Sequence, residues 1–467
     1  MPTKHSRIAE VMAHVRQQIA ARQLLPASRL LSVRAQAQAL GYSVSTVVEA
    51  YERLVAEGLL LSKPGAGFFV AGPVAPLALA QLGRQLDREV DPLWISRQAL
   101  DSDESLLKPG CGWLPAQWMY EAGMRRALRQ LARGDDMDLV EYATPLGLPE
   151  LRLLLGRRMA AHGMEVAPEN ILLTESGTHA IDLICRFFLE AGDTVLVDDP
   201  CYFNFHALLK AHRVQVVGVP YTPNGPDLVA FEAALAAHQP RLYITNSGIH
   251  NPTGAVLSPV VAHKLLKLVD GSQLLIVEDD IFADLEQHPA PRLSVFDGLE
   301  RVLSIGSFSK TVSASLRCGY IAAKSEWVEG LADLKIATSF GGGQLAARVL
   351  QAALTDSGYR KHMDSVRLHL AKCRQQVLPR LMALGIQPWL QPQAGMFVWC
   401  RLPDGKDAAT VARLCLVHGV VLAPGNVFSL STEAGQFVRF NVAQCLDERV
   451  FAVLQQVLKP SSDSQSV

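Results

Sequence analysis

Six short apolar runs, each followed by small or polar residues, constrain the fold of this chain more than any other feature. They alternate with segments of helical character and read NILLTES, TVLVDDP, VQVVGVP, RLYITNS, LLIVEDD and RVLSIGS. Apolar strands that alternate with helices are typical of a mainly parallel sheet covered on both faces. We therefore predict an α/β fold whose ligand chemistry lies at the carboxyl ends of these strands.

A lysine closely follows the last of these runs, in the tetrapeptide SFSK. At a strand end, a desolvated amine such as that of Lys310 can form a Schiff base. Ser307 and Ser309 add hydroxyl groups suited to a phosphate, and Arg317 can return to the same phosphate with its forked guanidinium. Taken alone, the pattern also fits an ordinary surface lysine.

Further motifs follow the other strands. In ESGTHA, Ser176, Gly177 and Thr178 open a helix and offer N–H and hydroxyl groups to a phosphate. A carboxylate of LLIVEDD can pair with a protonated pyridine nitrogen. Asn251 in HNPTG can donate to a phenolic oxygen, and Tyr202 in DDPCYF can stack on a ring. Each motif alone also suits a turn, a capping carboxylate or an interior aromatic, but together they favour a phosphorylated heteroaromatic cofactor.

Through these motifs residues 106–458, termed the body, resemble the fold-type I aminotransferases of class I and II. The resemblance implies pyridoxal 5′-phosphate (PLP) as cofactor, Lys310 as the catalytic lysine that bonds to it, and Asp279 as the partner of the pyridine nitrogen. The remaining candidates are Ser176, Gly177, Thr178, Tyr202, Asn251, Ser307, Ser309 and Arg317 for the cofactor, Tyr142 for the phosphate in a partner subunit, and Arg439 for a ligand carboxylate.

The body departs from the family pattern at two places. Phe282 stands where the family has a tyrosine that also bonds the phenolic oxygen. The missing hydrogen bond is expected to raise the pKa of the Schiff base. The stretch SASLR lacks the Pro-Gly that usually precedes Leu-Arg, so the loop that carries Arg317 is expected to differ in shape.

Residues 1–72, termed the head, carry an excess of basic residues although the whole chain has a net charge of −1. This asymmetry favours a polyanionic partner for the head. Apolar spacing predicts a helix over residues 5–22, SVRAQAQALG predicts a second, and YSVSTVVEAYERLVAEG predicts a third that begins at Ser43 or Ser45. LLLSKPGAGFFVAG predicts a β-hairpin. The order indicates a winged helix-turn-helix.

In such a domain the third helix enters the major groove, while basic side chains of the neighbouring turn and the wing contact phosphates. A helix-turn-helix used only for packing is the alternative. The candidate DNA-binding residues are Arg29, Ser32, Arg34, Ser43, Ser45, Thr46, Lys63, Gly65 and Gly67.

The head resembles the DNA-binding domain of GntR-type regulators. The matching positions are Pro26, Arg29-Leu30, Ser32, Arg34, Gly41, Ser43, Thr46-Val47, Ala50-Tyr51, Leu54, Glu57-Gly58, Gly65 and Gly67-Phe68. Ala27 and Leu31 replace a glycine and a proline of the family pattern, and Val44 stands where the family usually has a DNA-contacting arginine.

A GntR-type head joined to an aminotransferase-like body resembles the MocR subfamily of bacterial transcription regulators. The resemblance implies a head-to-tail homodimer that binds double-stranded DNA. We hypothesise that the body is a sensor of a small amine, an amino acid or PLP itself. Residues 73–105 are predicted to be a linker with a helix, and 459–467 a flexible tail. An active aminotransferase with a vestigial head is the alternative, so enzymatic activity stays open; a body without a Schiff base is disfavoured by Lys310.

Other classes of protein are disfavoured by what the chain lacks. It has no apolar run long enough for a membrane-spanning helix and no apolar core of a secretory signal. Its eight cysteines are scattered without a C-x-x-C pair, which argues against a zinc site or a disulfide framework. We therefore expect a cytoplasmic protein that binds neither metal nor membrane.

Overall fold

The computed structural model describes residues 7–20, 28–63, 67–71, 105–134 and 140–459, together with Leu24, Arg97 and Leu100. The chain divides into two compact units, Met1–Asp87 and Arg88–Val467, which contain the head and the body. Gly65, most of the predicted linker 73–105 and the tail from residue 460 lie outside the described residues.

The head consists of three helices followed by a hairpin, as its sequence predicts. The helices are α1 (Arg7–Ala20), α2 (Val33–Leu40) and α3 (Val44–Ala56), and the antiparallel strands are β1 (Leu60–Lys63) and β2 (Gly67–Val70). One apolar face of each helix contributes to a shared core that includes Val11, Val15, Val47, Tyr51 and Leu54.

Local caps set the turn between α2 and α3. The Ser32 hydroxyl accepts a hydrogen bond from the Ala35 N–H, and Gly41 ends α2 with a φ of 70°, which glycine adopts without strain. The Ser43 hydroxyl accepts from the Thr46 N–H and therefore begins α3. Of the two serines predicted to cap the third helix, the structure selects Ser43.

A large mixed sheet forms the centre of the body. Its strands are β3 (Ile171–Thr174), β4 (Thr194–Asp199), β5 (Gln215–Thr222), β6 (Gly225–Pro226), β7 (Leu242–Thr245), β8 (Leu275–Asp279), β9 (Val302–Ser307) and β10 (Gly319–Ala322), in the order β3-β10-β9-β8-β7-β4-β5-β6. Strands β5, β4, β7, β8 and β9 are parallel, and all six predicted runs form strands. The predicted α/β class is confirmed.

Helices cover both faces of this sheet, which explains why its strands are apolar throughout. Val195 and Val197 of β4 belong to one buried cluster with Ile184, whereas Leu196 between them belongs to another with Leu265. The body helices are α4 (Glu121–Leu131), α5 (Pro149–Ala160), α6 (Gly177–Phe188), α7 (Phe203–Ala211), α8 (Leu228–His238), α9 (Pro259–Val269), α10 (Leu293–Asp297), α11 (Ser325–Ser339), α12 (Gln344–Thr355), α13 (Tyr359–Ala383), α14 (Ala408–Val417) and α15 (Glu448–Leu458).

Two features of the body were absent from the sequence-based prediction. Strand β10 lies antiparallel between β3 and β9. A second, antiparallel sheet has the order β11-β12-β14-β13, formed by Gln387–Pro388, Phe397–Arg401, Phe437–Asn441 and Ala423–Pro424 respectively. This small sheet is important for the site because β14 carries Arg439.

All eight cysteines are buried free thiols. Within the described part of the chain, no helix combines the length and apolar character needed to cross a membrane.

Candidate cofactor site and candidate nucleic-acid interface

A cavity of about 160 Å³ lies at the carboxyl ends of the central strands. It brings together ten of the residues predicted from sequence, which lie between positions 176 and 317 of the chain. They are Ser176, Gly177, Thr178, Tyr202, Asn251, Asp279, Phe282, Ser309, Lys310 and Arg317. Convergence of hydroxyls, a carboxylate, an amine and aromatic rings at strand ends is the expected form of a ligand site.

Burial shifts the two central titratable groups of this cavity toward their neutral forms. It lowers the pKa of Lys310 to about 8, an effect reinforced by the charge of Arg439 and partly opposed by Asp279. Burial likewise raises the pKa of Asp279 to about 7, although the N–H of Ile281 donates to this carboxylate and opposes the rise. The Lys310 amine is therefore more easily deprotonated than that of an exposed lysine.

Strand geometry explains why Asp279 lines the cavity while its two acidic neighbours do not. Glu278 accepts hydrogen bonds from Ser247 and from Ser294 on the opposite face of the sheet. Asp280 forms an ion pair with Arg292 at 2.8 Å. Because successive side chains of a strand alternate between faces, Asp279 is the carboxylate of the EDD motif left for the cavity.

Arg439 is buried beside the reactive amine rather than on the surface. Its Nη1 donates to Asn251 Oδ1 at 2.8 Å, and its Nη2 donates to the Gly110 carbonyl at 2.7 Å. A Cβ atom placed on Gly112 would lie 3.8 Å from Arg439 Nη2 and 3.9 Å from Lys310 Nζ. The guanidinium and the amine thus flank the same glycine, while the Nε of Arg439 has no hydrogen-bond partner among the described residues.

One wall of the cavity is a helix N-terminus. Ser176 caps α6 by accepting from the N–H of His179 at 3.0 Å. A Cβ placed on Gly177 would contact the Ser307 side chain at 3.8 Å, so the start of this helix adjoins the end of β9. Ser307 lies behind the cavity wall, where its hydroxyl accepts from the Ser309 N–H at 3.3 Å. Unpaired N–H groups and hydroxyls at a helix start suit a phosphate.

Arg317 lies at the edge of the cavity and is exposed. Its φ of 49° is in the left-handed region, which is unfavourable for a side chain with a Cβ atom. Its Nη1 donates to the Ala314 carbonyl at 3.4 Å, within the SASLR loop itself. The loop therefore folds back on itself around this arginine.

The remaining predicted residues occupy distinct places. Tyr202 packs against Phe203 and Phe205, and Phe282 packs edge-on against Phe397 with ring centroids 5.5 Å apart. Tyr142 lies outside the cavity of its own chain and is 80% exposed. Its ring contacts that of Phe340 at 5.1 Å.

In the head, the candidate DNA-contacting cations are exposed and lack a carboxylate partner among the described residues. By contrast, Arg16 is paired with Glu57 and Arg53 with Glu49. The three exposed cations are Arg29, Arg34 and Lys63. Lys63 belongs to the wing, where its amine lies 4.8 Å from the centre of the Phe69 ring. Arg29 precedes α2 but lies against the wing, because a Cβ on Gly67 would lie 3.5 Å from its guanidinium.

Two protein families match the chain, one in the body and one in the head. Residues 119–457 match the family Aminotransferase class I and II, and residues 7–70 match the family Bacterial regulatory proteins, gntR family. The chain belongs to the class I and II aminotransferase family. Its GntR helix-turn-helix domain and its aminotransferase domain together give the architecture of MocR-type GntR regulators, as the sequence predicts.

Relatives and solved structures share one or both domains. The chain is 28% identical to the HTH-type transcriptional regulator YdcR of Escherichia coli (strain K12), with 98% of each chain covered. It is 26% identical to LysN, the alpha-aminoadipate aminotransferase of Thermus thermophilus solved with N-(5′-phosphopyridoxyl)-L-leucine, with a TM-score of 0.70 over 78% of this chain and 94% of that one. The kynurenine aminotransferase of Pyrococcus horikoshii shows the same fold at 21% identity and a TM-score of 0.71, covering 82% and 97% of the two chains.

Membership of the aminotransferase family implies a PLP site, and the donor set of the cavity fits that cofactor. Asn251 accepts from Arg439 through Oδ1, which leaves its amide nitrogen as a donor for a phenolic oxygen. Asp279 provides a carboxyl group for a ring nitrogen, and the start of α6 provides N–H groups for a phosphate.

Sequence reasoning missed the segment that brings the amine and the guanidinium together. Gly110 and Gly112 come from the start of the body, yet they contact Arg439 near its end. The Gly-Cys-Gly triplet was the available signal, because glycines allow close approach of backbone to side chains. Asn246, whose amide groups bond the Asp279 carbonyl and the Asn251 N–H, was missed as well.

Proposed function

We propose that this chain is a PLP-dependent transcription regulator, with a DNA-binding head of residues 1–72 and a PLP-binding body of residues 106–458. The observation that carries the proposal is that Lys310 and Asp279 line one cavity, with Arg439 bonded to Asn251 in its lining, in a chain that also has a GntR head. The body senses an amine, an amino acid or PLP itself, and the head binds double-stranded DNA.

The chemistry that the cofactor supplies when bound is an aldehyde that condenses with primary amines. Lys310 supplies such an amine, and its pKa of about 8 makes the neutral, nucleophilic form accessible near physiological pH. With the cofactor bound, Asp279 would hold the ring nitrogen, Asn251 would donate to the phenolic oxygen, and Tyr202 would cover the ring. The phosphate would be held by Ser176, Gly177, Thr178, Ser307, Ser309 and Arg317.

Arg439 favours a signal that carries a carboxylate. Its forked guanidinium is held in place by Asn251 and Gly110 and lies beside Lys310. Three phenylalanine rings surround its charge. Their centroids lie 4.2 Å (Phe397), 4.8 Å (Phe428) and 5.8 Å (Phe203) from the guanidinium carbon. An incoming carboxylate would therefore meet a preoriented partner in a water-poor site.

We further propose that the protein acts as a homodimer. Tyr142 and Phe340 form an exposed aromatic pair on the body, and apolar surface of this kind is typical of protein contacts. In the dimer, Tyr142 would reach the phosphate in the partner subunit.

Aminotransferase activity is the second candidate function, because the cavity retains the lysine and the carboxylate that such chemistry uses, and Arg439 is bonded to Asn251 in its lining. Phe282, which has no hydroxyl, is the observation against fast turnover. Amino-group exchange between an amino acid and a keto acid, measured with the PLP-loaded protein, distinguishes an active enzyme from a sensor.

The decisive experiment measures which genomic DNA fragments the full-length protein retains, with and without PLP. Retention of a few defined sites, changed in strength by PLP, is the expected result. A Lys310→Ala variant is the control, since its retention should not respond to PLP. Diffuse, salt-sensitive retention in every condition would contradict the proposed function as a regulator. Aminotransferase activity would then be the favoured function.

A further inference from the structure

The helix that would enter the major groove begins with an exposed apolar side chain. Val44 is the first residue of α3 and is 49% exposed, whereas Val47 in the same turn is fully buried in the head core. Val44 is not part of that core. Its side chain therefore contributes little to folding of the head and is available to a ligand.

The hydroxyl groups around Val44 are engaged with one another. Ser43 Oγ accepts from the Thr46 N–H at 3.2 Å and lies 2.7 Å from Thr46 Oγ1 and 3.0 Å from Ser45 Oγ. A hydroxyl has one donor and two acceptor positions, so this network uses much of the hydrogen-bonding capacity of Ser43. Val44 is the side chain in this turn that takes part in neither the cap nor the core.

The major groove offers one apolar group to such a side chain, the C5 methyl of thymine. We propose that Val44 is a specificity-determining residue that contacts a thymine methyl in each DNA half-site. The inference rests on the proposed DNA binding of the head. It adds that one position of the site is read by apolar contact instead of a hydrogen bond to a base edge.

The test removes that methyl from the DNA without changing base pairing. A binding site is first selected from random duplexes with the full-length, PLP-loaded protein. Each thymine of one half-site is then replaced in turn by deoxyuridine, and the Kd of each duplex is measured by fluorescence anisotropy. One position should respond by about fourfold, the effect expected for burying a single methyl group.

A substitution in the protein is combined with the substitution in the DNA. Val44→Ala should weaken binding to the thymine duplex while leaving the deoxyuridine duplex nearly unchanged, so that discrimination at that position is lost. Leu61→Ala is the matched control, because Leu61 is an apolar side chain of the wing that is 51% exposed. This control should keep the discrimination. Neither variant should change the salt dependence of Kd, since no charge is removed.

The results separate this inference from the function on which it rests. Loss of discrimination in Val44→Ala with retention in Leu61→Ala supports it. The proposed contact is overturned if the protein binds a defined site but no thymine responds, or if discrimination survives Val44→Ala. Either result leaves the proposed function as a transcription regulator unaffected. Failure to select any site would overturn the proposed function, and the inference with it.

Discussion

The head and the body present their candidate binding groups in opposite ways. In the head, Arg34 and Lys63 are exposed side chains without a carboxylate partner among the described residues. In the body, Lys310 and Asp279 line a cavity and have shifted pKa values, and Arg439 is buried, its pKa lowered by burial to about 10.

This difference predicts different responses to solution conditions. Exposed charges act through the ionic atmosphere of a polyanion, so binding by the head should depend on salt concentration. Buried charges are screened much less by salt, so binding in the body should depend on pH through shifted pKa values. The following predictions test this contrast, from the largest effect to the smallest.

Replacement of Lys310 should abolish covalent capture of PLP. Borohydride reduction of the wild-type protein with PLP should add one stable cofactor mass, and Lys310→Ala should add none. Lys335→Met is the control: Lys335 is a second buried lysine, its pKa is also lowered to about 8 by burial, and its amine donates to the Pro145 carbonyl at 3.0 Å. Lys335→Met should be labelled like the wild type, whereas equal labelling of Lys310→Ala and wild type would contradict Lys310 as the amine that captures PLP.

Asp279→Asn should stabilise the PLP-free protein at pH 8 while weakening its affinity for PLP. The folded-state pKa of about 7 exceeds the ordinary value of 3.8, so stability from this group falls as pH rises through that interval. The gain in unfolding free energy should be about 4 kcal/mol at pH 8 and should vanish toward pH 4. Denaturant unfolding of the PLP-free protein at several pH values measures it.

The adjacent substitution Asp280→Asn should stabilise the PLP-free protein less than Asp279→Asn does at pH 8. Burial raises the pKa of Asp280 as well, but the buried Arg292 pairs with this carboxylate at 2.8 Å and opposes the rise, so less is gained by making the group neutral. Arg292 keeps a second carboxylate partner in Glu286 at 3.0 Å. If Asp280→Asn stabilises the protein as much as Asp279→Asn, the distinction between an unpaired carboxylate in the cavity and a paired one behind it is wrong.

Arg34→Ala should weaken DNA binding and reduce the slope of log Kd against log salt concentration by about one, the effect of one lost phosphate contact. Binding of PLP should not change. Arg16→Ala should change the slope less, because Arg16 is engaged by Glu57. Identical slopes for Arg34→Ala and wild type would exclude a phosphate contact by Arg34.

The smallest expected effect comes from Phe282→Tyr. A hydroxyl at this position would donate to the phenolic oxygen of the cofactor and lower the pH midpoint of the visible absorption band by about one unit. Phe282→Leu, which adds no hydroxyl, should keep the wild-type midpoint. A titration of Phe282→Tyr that overlays the wild type would contradict the proposed role of this residue.

Much of the architecture could be predicted because its signals are local. The six apolar runs predicted six strands, and Ser32, Gly41 and Ser43 predicted the helix boundaries of the head, since caps and periodicity depend on a few consecutive residues. Strand β10 and the small antiparallel sheet were missed. Their strands are short, and their pairing depends on contacts that no local pattern encodes.

The sequence by itself determined which chemical groups are present, namely the lysine, the arginine, the hydroxyls and an EDD triplet at a strand end. Only the tertiary structure decided that Asp279 lines the cavity, because the choice depends on which face of the sheet each side chain meets. It also decided that Gly112 lies between Lys310 and Arg439, since these residues come from distant parts of the chain. Residue identity determines which reactive groups the chain has, whereas their proximity depends on how the chain folds.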